Sequence, residues 1–299
     1  MLKRTIVIAN PGRISFRNHQ LVVKSDDKGE KTVPLEDLGV LVIENPQTTI
    51  TSVALAKLAD ANVAVMTCDS THHPVSLSLP LVGHSEMTKR HLVQTNISLP
   101  LKKRLWQQCI QAKLGNQARV LELNHKNVPA KKLRKYVLEV NSGDTTNIEA
   151  RAAQHYWKYF IPDPEFRRRA QGIPPNNLLN YGYAIIRATL ARSVVASGLI
   201  PSLGLFHRNK YNAFCLADDL MEPYRPFVDI AVLKLLNQGL EPTENLEPEH
   251  KRAILEILSS DTYEGEKRST LWNSSLRTAS SLYLCFEGSR RQISFPELH

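Results

Sequence analysis

TKRHLVQTNISLPLKKRLWQQCIQAKL, residues 88–114, is where this chain changes character. Before it, apolar residues alternate or come in short runs. Within it, Leu101, Leu105, Cys109 and Ala112 recur at helical spacing and fall on one face. Lys103 and Arg104 point away from that face, and Lys102 lies at its edge. The helical pattern then persists to about Leu284. The change of period predicts an α+β protein: a small β-rich N-terminal domain, residues 1–90, followed by a larger all-α C-terminal domain, residues 91–299.

Upstream of the switch, Arg4–Ala9 is β-branched and stops at Asn10-Pro11-Gly12, a strong turn. Arg13–Arg17 and Gln20–Ser25 flank Asn18-His19 as a hairpin. Gly39–Ile43 is an apolar run of strand length, Ser52–Ala61 reads as a short helix, Val63–Thr67 as a buried strand and His73–Leu79 as an alternating one. Downstream, Pro162, Pro164, Pro174 and Pro175 end one helix and precede the next. Asn176–Gly198 reads as a long buried helix, and Gln238–His250 as a loop before a helix at Lys251–Leu258.

The 299 residues are enough for a sizeable core. The net charge of +9 is unevenly placed. Residues 1–98 are nearly balanced, 99–210 carry 19 Lys/Arg against 6 Asp/Glu, and 211–299 are acidic. A polyanion should therefore meet the middle third. The four cysteines, Cys68, Cys109, Cys215 and Cys285, are widely spaced and form no CxxC, which excludes a zinc knuckle and suits reduced thiols in a cytoplasmic protein. The N-terminus is no signal peptide, and no stretch has the ~20 apolar residues of a membrane span.

Three side chains far apart in sequence suggest a divalent cation facing phosphate: Glu149 in GDTTNIEARAAQHYW, His207 in GLIPSLGLFHRNKYNAF and Glu222 in CLADDLMEPYRPFVD. Each has a simpler reading. Thr146, three residues before Glu149, would make a capping box with it. His207 would be a surface or capping histidine. Asp218, Asp219 and Glu222 would complement a helix dipole. Against the last reading, three carboxylates this close repel unless a cation neutralises them. Two carboxylates and an imidazole suit Mg²⁺ or Mn²⁺, the nitrogen favouring Mn²⁺. No nucleophile elbow, P-loop or HExxH occurs, so serine-hydrolase, nucleotide-triphosphatase and zinc-protease chemistry has no motif behind it.

The basic residues come in knots: Lys102-Lys103-Arg104, Lys131-Lys132 with Arg134-Lys135, and Arg167-Arg168-Arg169, while Arg208 and Lys210 flank the histidine. Three knots in the most basic segment favour a phosphate track. Tyr181 and Tyr183 read as packing residues, or as one that stacks on a displaced base.

From about Gly143 to Asp229 these motifs resemble, closely and in order, CRISPR-associated protein one, the integrase and endonuclease of CRISPR adaptation, in its type II-like branch. The resemblance implies that Glu149, His207 and Glu222 are the metal ligands, with Glu222 standing where many relatives have Asp, and that Asp219 is an outer-shell or second-metal carboxylate. It implies insertion of new spacers into a CRISPR array by attack of a DNA 3′-hydroxyl, with Mg²⁺ or Mn²⁺ as cofactor. It also implies double-stranded DNA as donor and target, and a homodimer assembled through the β domains. Two such dimers would bridge a small ferredoxin-like partner in a hetero-hexamer, with help from the type II effector nuclease. The residues alone leave two other readings open: a stand-alone metal-dependent DNA nuclease, and a non-catalytic DNA-binding scaffold.

Overall fold

The structure is a computed structural model that describes residues 3–25, 29–69, 74–161, 163, 165–169, 172–244 and 246–299. Pro162, Pro164 and His73, singled out in the sequence, lie outside the described residues. The chain divides into two compact units between Met87 and Thr88.

The first unit carries β1 (Arg4–Ile8), β2 (Arg13–Arg17), β3 (Gln20–Ser25), β4 (Gly29–Pro34), β5 (Leu38–Ile43), β6 (Thr49–Ile50), α1 (Ser52–Asp60), β7 (Ala64–Cys68) and β8 (Pro74–Ser78). One sheet runs β1-β5-β7-β8, parallel except for its last pair. β5 is buried at every position, as expected of an unbroken apolar run between two parallel neighbours. The second sheet runs β4-β3-β2-β6. Its β2–β3 hairpin turns on Asn18 and His19, both at positive φ, the backbone that matches strand twist in a two-residue turn. Thr51 caps α1 by accepting from the Ala54 N–H at 3.2 Å. Ile14, Leu21, Leu38, Leu41 and Leu58 form the core.

The second unit begins within α2 (Met87–Thr95) and continues through α3 (Leu99–Leu123), α4 (Asn127–Glu139), α5 (Ile148–Phe160), α6 (Asn176–Ala196), α7 (Cys215–Met221), a 3₁₀ turn at Glu222–Tyr224, α8 (Arg225–Asn237) and α9 (Pro248–Glu256). A two-stranded ribbon, β9 (Asp261–Glu264) with β10 (Lys267–Thr270), precedes α10 (Leu271–Glu287). The chain is thus β-rich and then helical, with this short ribbon set inside the helical part.

α3 packs on α4, α5 and α8, and α6 packs on α7, α8, α9 and α10. α3 starts cleanly because Ser98 caps it and Pro100 sits in its first turn. α6 is buried nearly all round, and a Cβ on Gly182 would lie 2.4 Å from Val228 Cγ1, so glycine sets the α6–α8 approach. Tyr181 and Tyr183 are both buried, which makes them packing residues rather than a stacking platform. No helix among the described residues is long and apolar enough to cross a membrane.

Candidate active site

Glu149 stands in the first turn of α5. The capping box with Thr146 does not form. Asn147 takes a left-handed backbone (φ 55°) at the helix start and makes no side-chain cap. Asp144 reaches over instead, and its carboxylate accepts from the N–H groups of Ile148 and Glu149, each at 2.9 Å. The Glu149 side chain is thereby released from capping, and Lys113 Nζ of α3 donates to its Oε1 at 2.6 Å.

The same ammonium lies 2.5 Å from Glu222 Oε2. Arg225, one turn further on, donates from Nε to Glu222 Oε1 at 2.8 Å. Burial pushes the Glu222 carboxyl up, but Arg225 and Lys113 together reverse this and hold it at about 2. For Lys113 burial lowers the pKa, and Glu222 and Glu149 outweigh it, so the lysine stays charged although buried. Two carboxylates from separate helices therefore share one cation.

His207 is held from below by Asp219. Its Nδ1 lies 2.5 Å from Asp219 Oδ1, which leaves the other ring nitrogen for a ligand or substrate. Asp219 is fully buried, and its Oδ2 accepts from the Leu205 and Phe206 N–H groups at 2.6 and 3.0 Å. This fixes the loop that carries His207. The hydrogen bond to Asp219 raises the pKa of the imidazole. Gly204 makes the fit: a Cβ there would sit 2.7 Å from Asp219 Oδ2 and 2.6 Å from the His207 carbonyl oxygen. The ring stands edge-on to Trp106 and Phe206, which stack on each other 4.6 Å apart.

The three acids near residue 220 are separated by their partners. Asp218 pairs with Arg187 at 2.5 Å and accepts from Asn212 at 2.6 Å. Asp219 is absorbed by the His207 loop, and Glu222 by Lys113 and Arg225. Repulsion is relieved by cations and backbone N–H groups of the protein itself. Among the described residues, no three His, Cys, Asp or Glu side chains converge closely enough to hold a metal ion. The charges of Asp219, Glu222 and Glu149 nonetheless all bear on the buried Cys109 thiol, adding to the burial that raises it well above its usual range. They form one anionic neighbourhood around α3. The donor set, two carboxylates and an imidazole, suits a hard divalent cation in kind, and the two carboxylates converge on one ammonium, that of Lys113.

Of the basic residues singled out, Lys103, Arg104, Lys131, Lys132, Arg167, Arg169 and Arg208 are exposed and Lys102 is half-buried. Arg134 is exposed but clamps Glu122 through two hydrogen bonds of 3.1 Å. Arg168 is half-buried, donates to Asn176 and Asn180 at 3.0 and 2.6 Å, and lies over the Tyr183 ring. Its guanidinium is occupied inside the protein. Sequence reasoning missed Lys113, Arg225 and Asp144. Lys113 had a signal: it follows Cys109 by four residues, a charge on an otherwise apolar face.

A β-rich unit followed by a helical unit, in which two carboxylates share a buried lysine and a buried aspartate holds a histidine, defines a two-part chain with a charged polar centre in its helical part. The family model for CRISPR associated protein Cas1 matches residues 6–261, and the chain belongs to this family. It is 40% identical over 258 residues to the CRISPR-associated endonuclease Cas1 of Neisseria meningitidis serogroup C (strain 8013), covering 86% of this chain and 84% of that one. Its fold is similar to that of a casposase bound to integration product (TM-score 0.81, 21% identity, 100% of this chain and 95% of that one). It is also similar to a chain of a Cas6-RT-Cas1–Cas2 complex (TM-score 0.76, 21% identity, 99% of this chain and 36% of that one).

Proposed function

We propose that this chain is a metal-dependent DNA integrase and endonuclease that inserts new spacers into a CRISPR array. The observation that carries this reading is the meeting of Glu149 and Glu222, far apart in sequence, at the single ammonium of Lys113. Family membership, the endonuclease relative and the integration-product neighbour support the same class of chemistry. Glu149, His207 and Glu222 would hold Mg²⁺ or Mn²⁺. When bound, such an ion polarises a phosphodiester oxygen and lowers the cost of ionising a hydroxyl.

The protein's own groups have separable tasks. Asp219 holds Nδ1 of His207, so the ring presents its other nitrogen in one orientation. Arg225 and Lys113 keep Glu222 ionised. Arg225 and Lys113 also place positive charge where a phosphate gains negative charge in the transition state. The exposed basic residues would hold duplex DNA by phosphate contacts that carry no sequence information. In the reaction, a DNA 3′-oxygen bonds to phosphorus as the bond to the departing 3′-oxygen of the repeat strand breaks. One phosphodiester replaces another, so no nucleotide triphosphate is consumed. Water in place of the hydroxyl gives hydrolysis, which is the nuclease reading. A homodimer through the β units, and a small partner between two dimers, would complete the assembly, and the neighbour named as a complex with Cas2 supports a protein partner.

The test is to mix the protein, its small partner, a labelled short duplex and a supercoiled plasmid carrying one repeat. Label covalently joined to plasmid supports integration. Nicked plasmid without joined label supports the nuclease reading instead.

A further inference from the structure

Glu222 is gripped at its carboxylate by Lys113 and Arg225, and the two residues that follow it are bonded by Asn116 and Thr278, side chains that also bond residues 294–298. Asn116 lies three residues beyond Lys113 on α3 and is 4% exposed. Its Nδ2 donates to the Pro223 carbonyl at 2.9 Å and to the Pro296 carbonyl at 2.9 Å. Its Oδ1 accepts from the Leu298 N–H at 3.0 Å. One amide thus binds α3, the Glu222–Tyr224 turn and the end of the chain, with both its N–H groups used.

A second tether is independent of the first. Thr278 Oγ1 donates to the Ser294 carbonyl at 2.6 Å. The Tyr224 hydroxyl lies 2.6 Å from the same Thr278 oxygen and must be the donor there, because the threonine proton is committed. The tail itself is well seated. Gln108 brackets it at the Arg291 carbonyl and the Ile293 N–H, at 3.0 and 2.9 Å. Ser281 receives the Ser294 N–H at 2.9 Å. Glu297 exchanges backbone hydrogen bonds with Tyr263 at 2.8 and 3.2 Å.

We infer that residues 291–298 are a strap that positions Glu222, and that Asn116 is the positioning residue through which it acts. The inference rests on the reading of Glu222 as an active-site carboxylate. Lys113 and Asn116, one helical turn apart on α3, hold the side chain and the following backbone of the same turn. Loss of the Asn116 donors leaves the Pro223 and Pro296 carbonyls without them and lets the turn shift. Displacements of about 1 Å at such a site cost up to roughly 100-fold in rate, without needing any change in substrate affinity.

The experiment uses full-length protein with its partner and the labelled duplex, and compares wild type, Asn116→Asp, Leu298→Pro and Glu222→Ala. Asn116→Asp keeps the acceptor for Leu298 and loses both donors. Leu298→Pro leaves Asn116 intact and removes the strap's N–H, fixing φ at that residue as well. Turnover at saturating DNA, DNA dissociation constant and melting midpoint are measured for each. The strap predicts that Asn116→Asp lowers turnover by roughly 10-fold or more, with DNA affinity within about 2-fold and a cooperative melt retained. Leu298→Pro should move in the same direction by a smaller factor. If Glu222→Ala is inactive while the other two turn over like wild type, the strap alone is overturned. Turnover, DNA affinity and melting cooperativity all falling together in Asn116→Asp and Leu298→Pro would also overturn it, since that is a folding defect. If Glu222→Ala turns over normally, the site reading fails and takes the strap with it.

Discussion

Lys113 bonds Glu149 on one side and Glu222 on the other, so its removal should be felt in stability as well as chemistry. Lys113→Met is expected to cost about 3 kcal/mol in a urea melt at neutral pH, because it leaves the buried Glu222 and the half-buried Glu149 short of counter-charge. A loss below about 1 kcal/mol would mean Arg225 alone suffices. The pH dependence has a definite sign. Glu222 is held at about 2 in the folded chain against an ordinary glutamate value of 4.5. Its contribution is present above the unfolded value and is lost as pH falls from about 4.5 toward 2. Acid titration of the wild type should show this loss, and in Lys113→Met the loss should be smaller and complete at higher pH. Glu149, His207 and Glu222 were singled out in the sequence by residue type and by a family resemblance, and of these the structure brings Glu149 and Glu222 together on Lys113. Asp144 was not, because the Thr146–Glu149 spacing satisfies a capping box on paper. Left-handed residues at Gly143, Asp144 and Asn147 redirect the loop, and they leave no mark in a helix-start pattern.

At the scale of elements, α3 organises the site: Cys109, Lys113 and Asn116 all project from its buried side. Its apolar face was readable, and it is wider than the Leu101–Ala112 stripe, taking in Trp106, Ile110 and Leu114 as well. The β9–β10 ribbon was not readable. Of its strand residues only Thr262 is buried, and charges such as Asp261, Glu264, Lys267 and Arg268 give no alternation to detect. The loop before α7 is as specific as the helices. Gly204→Ala should push Asp219 or the His207 carbonyl aside, since the new Cβ would stand under 3 Å from both. Turnover should fall by roughly 10-fold, while the melting midpoint moves by only a few degrees. A Gly204→Ala variant with wild-type turnover would show that the loop tolerates displacement of His207.

For the whole molecule, on the proposed reading, charge decides the encounter with DNA. Exposed Arg167 and Arg169 should behave differently from Arg168, whose donors are taken by Asn176 and Asn180. Reversing Arg167 and Arg169 to Glu should weaken binding to every duplex alike. It should also flatten the log–log salt dependence by roughly 0.9 for each phosphate that is no longer neutralised. Arg168→Gln should instead lower the melting midpoint and leave the slope in place. Titration of labelled duplex at several salt concentrations separates the two, and an unchanged slope for the double reversal would mean those side chains face solvent only. The β-rich then helical order was legible because the apolar period changes near Thr88, beside the boundary between the units.

On the proposed reading, Glu149, His207 and Glu222 act as one catalytic centre rather than as a cap, a surface histidine and a solvated acid. The decisive measurement is joining of a labelled donor duplex to a repeat-bearing plasmid in Mg²⁺ or Mn²⁺, with DNA affinity measured in parallel. The variants are Glu149→Ala, His207→Ala and Glu222→Ala. Each is expected to form no joined product while its dissociation constant for duplex stays within about 2-fold of wild type, because a lost ligand removes several kcal/mol of transition-state stabilisation and little binding. Normal joining by His207→Ala would contradict a shared centre.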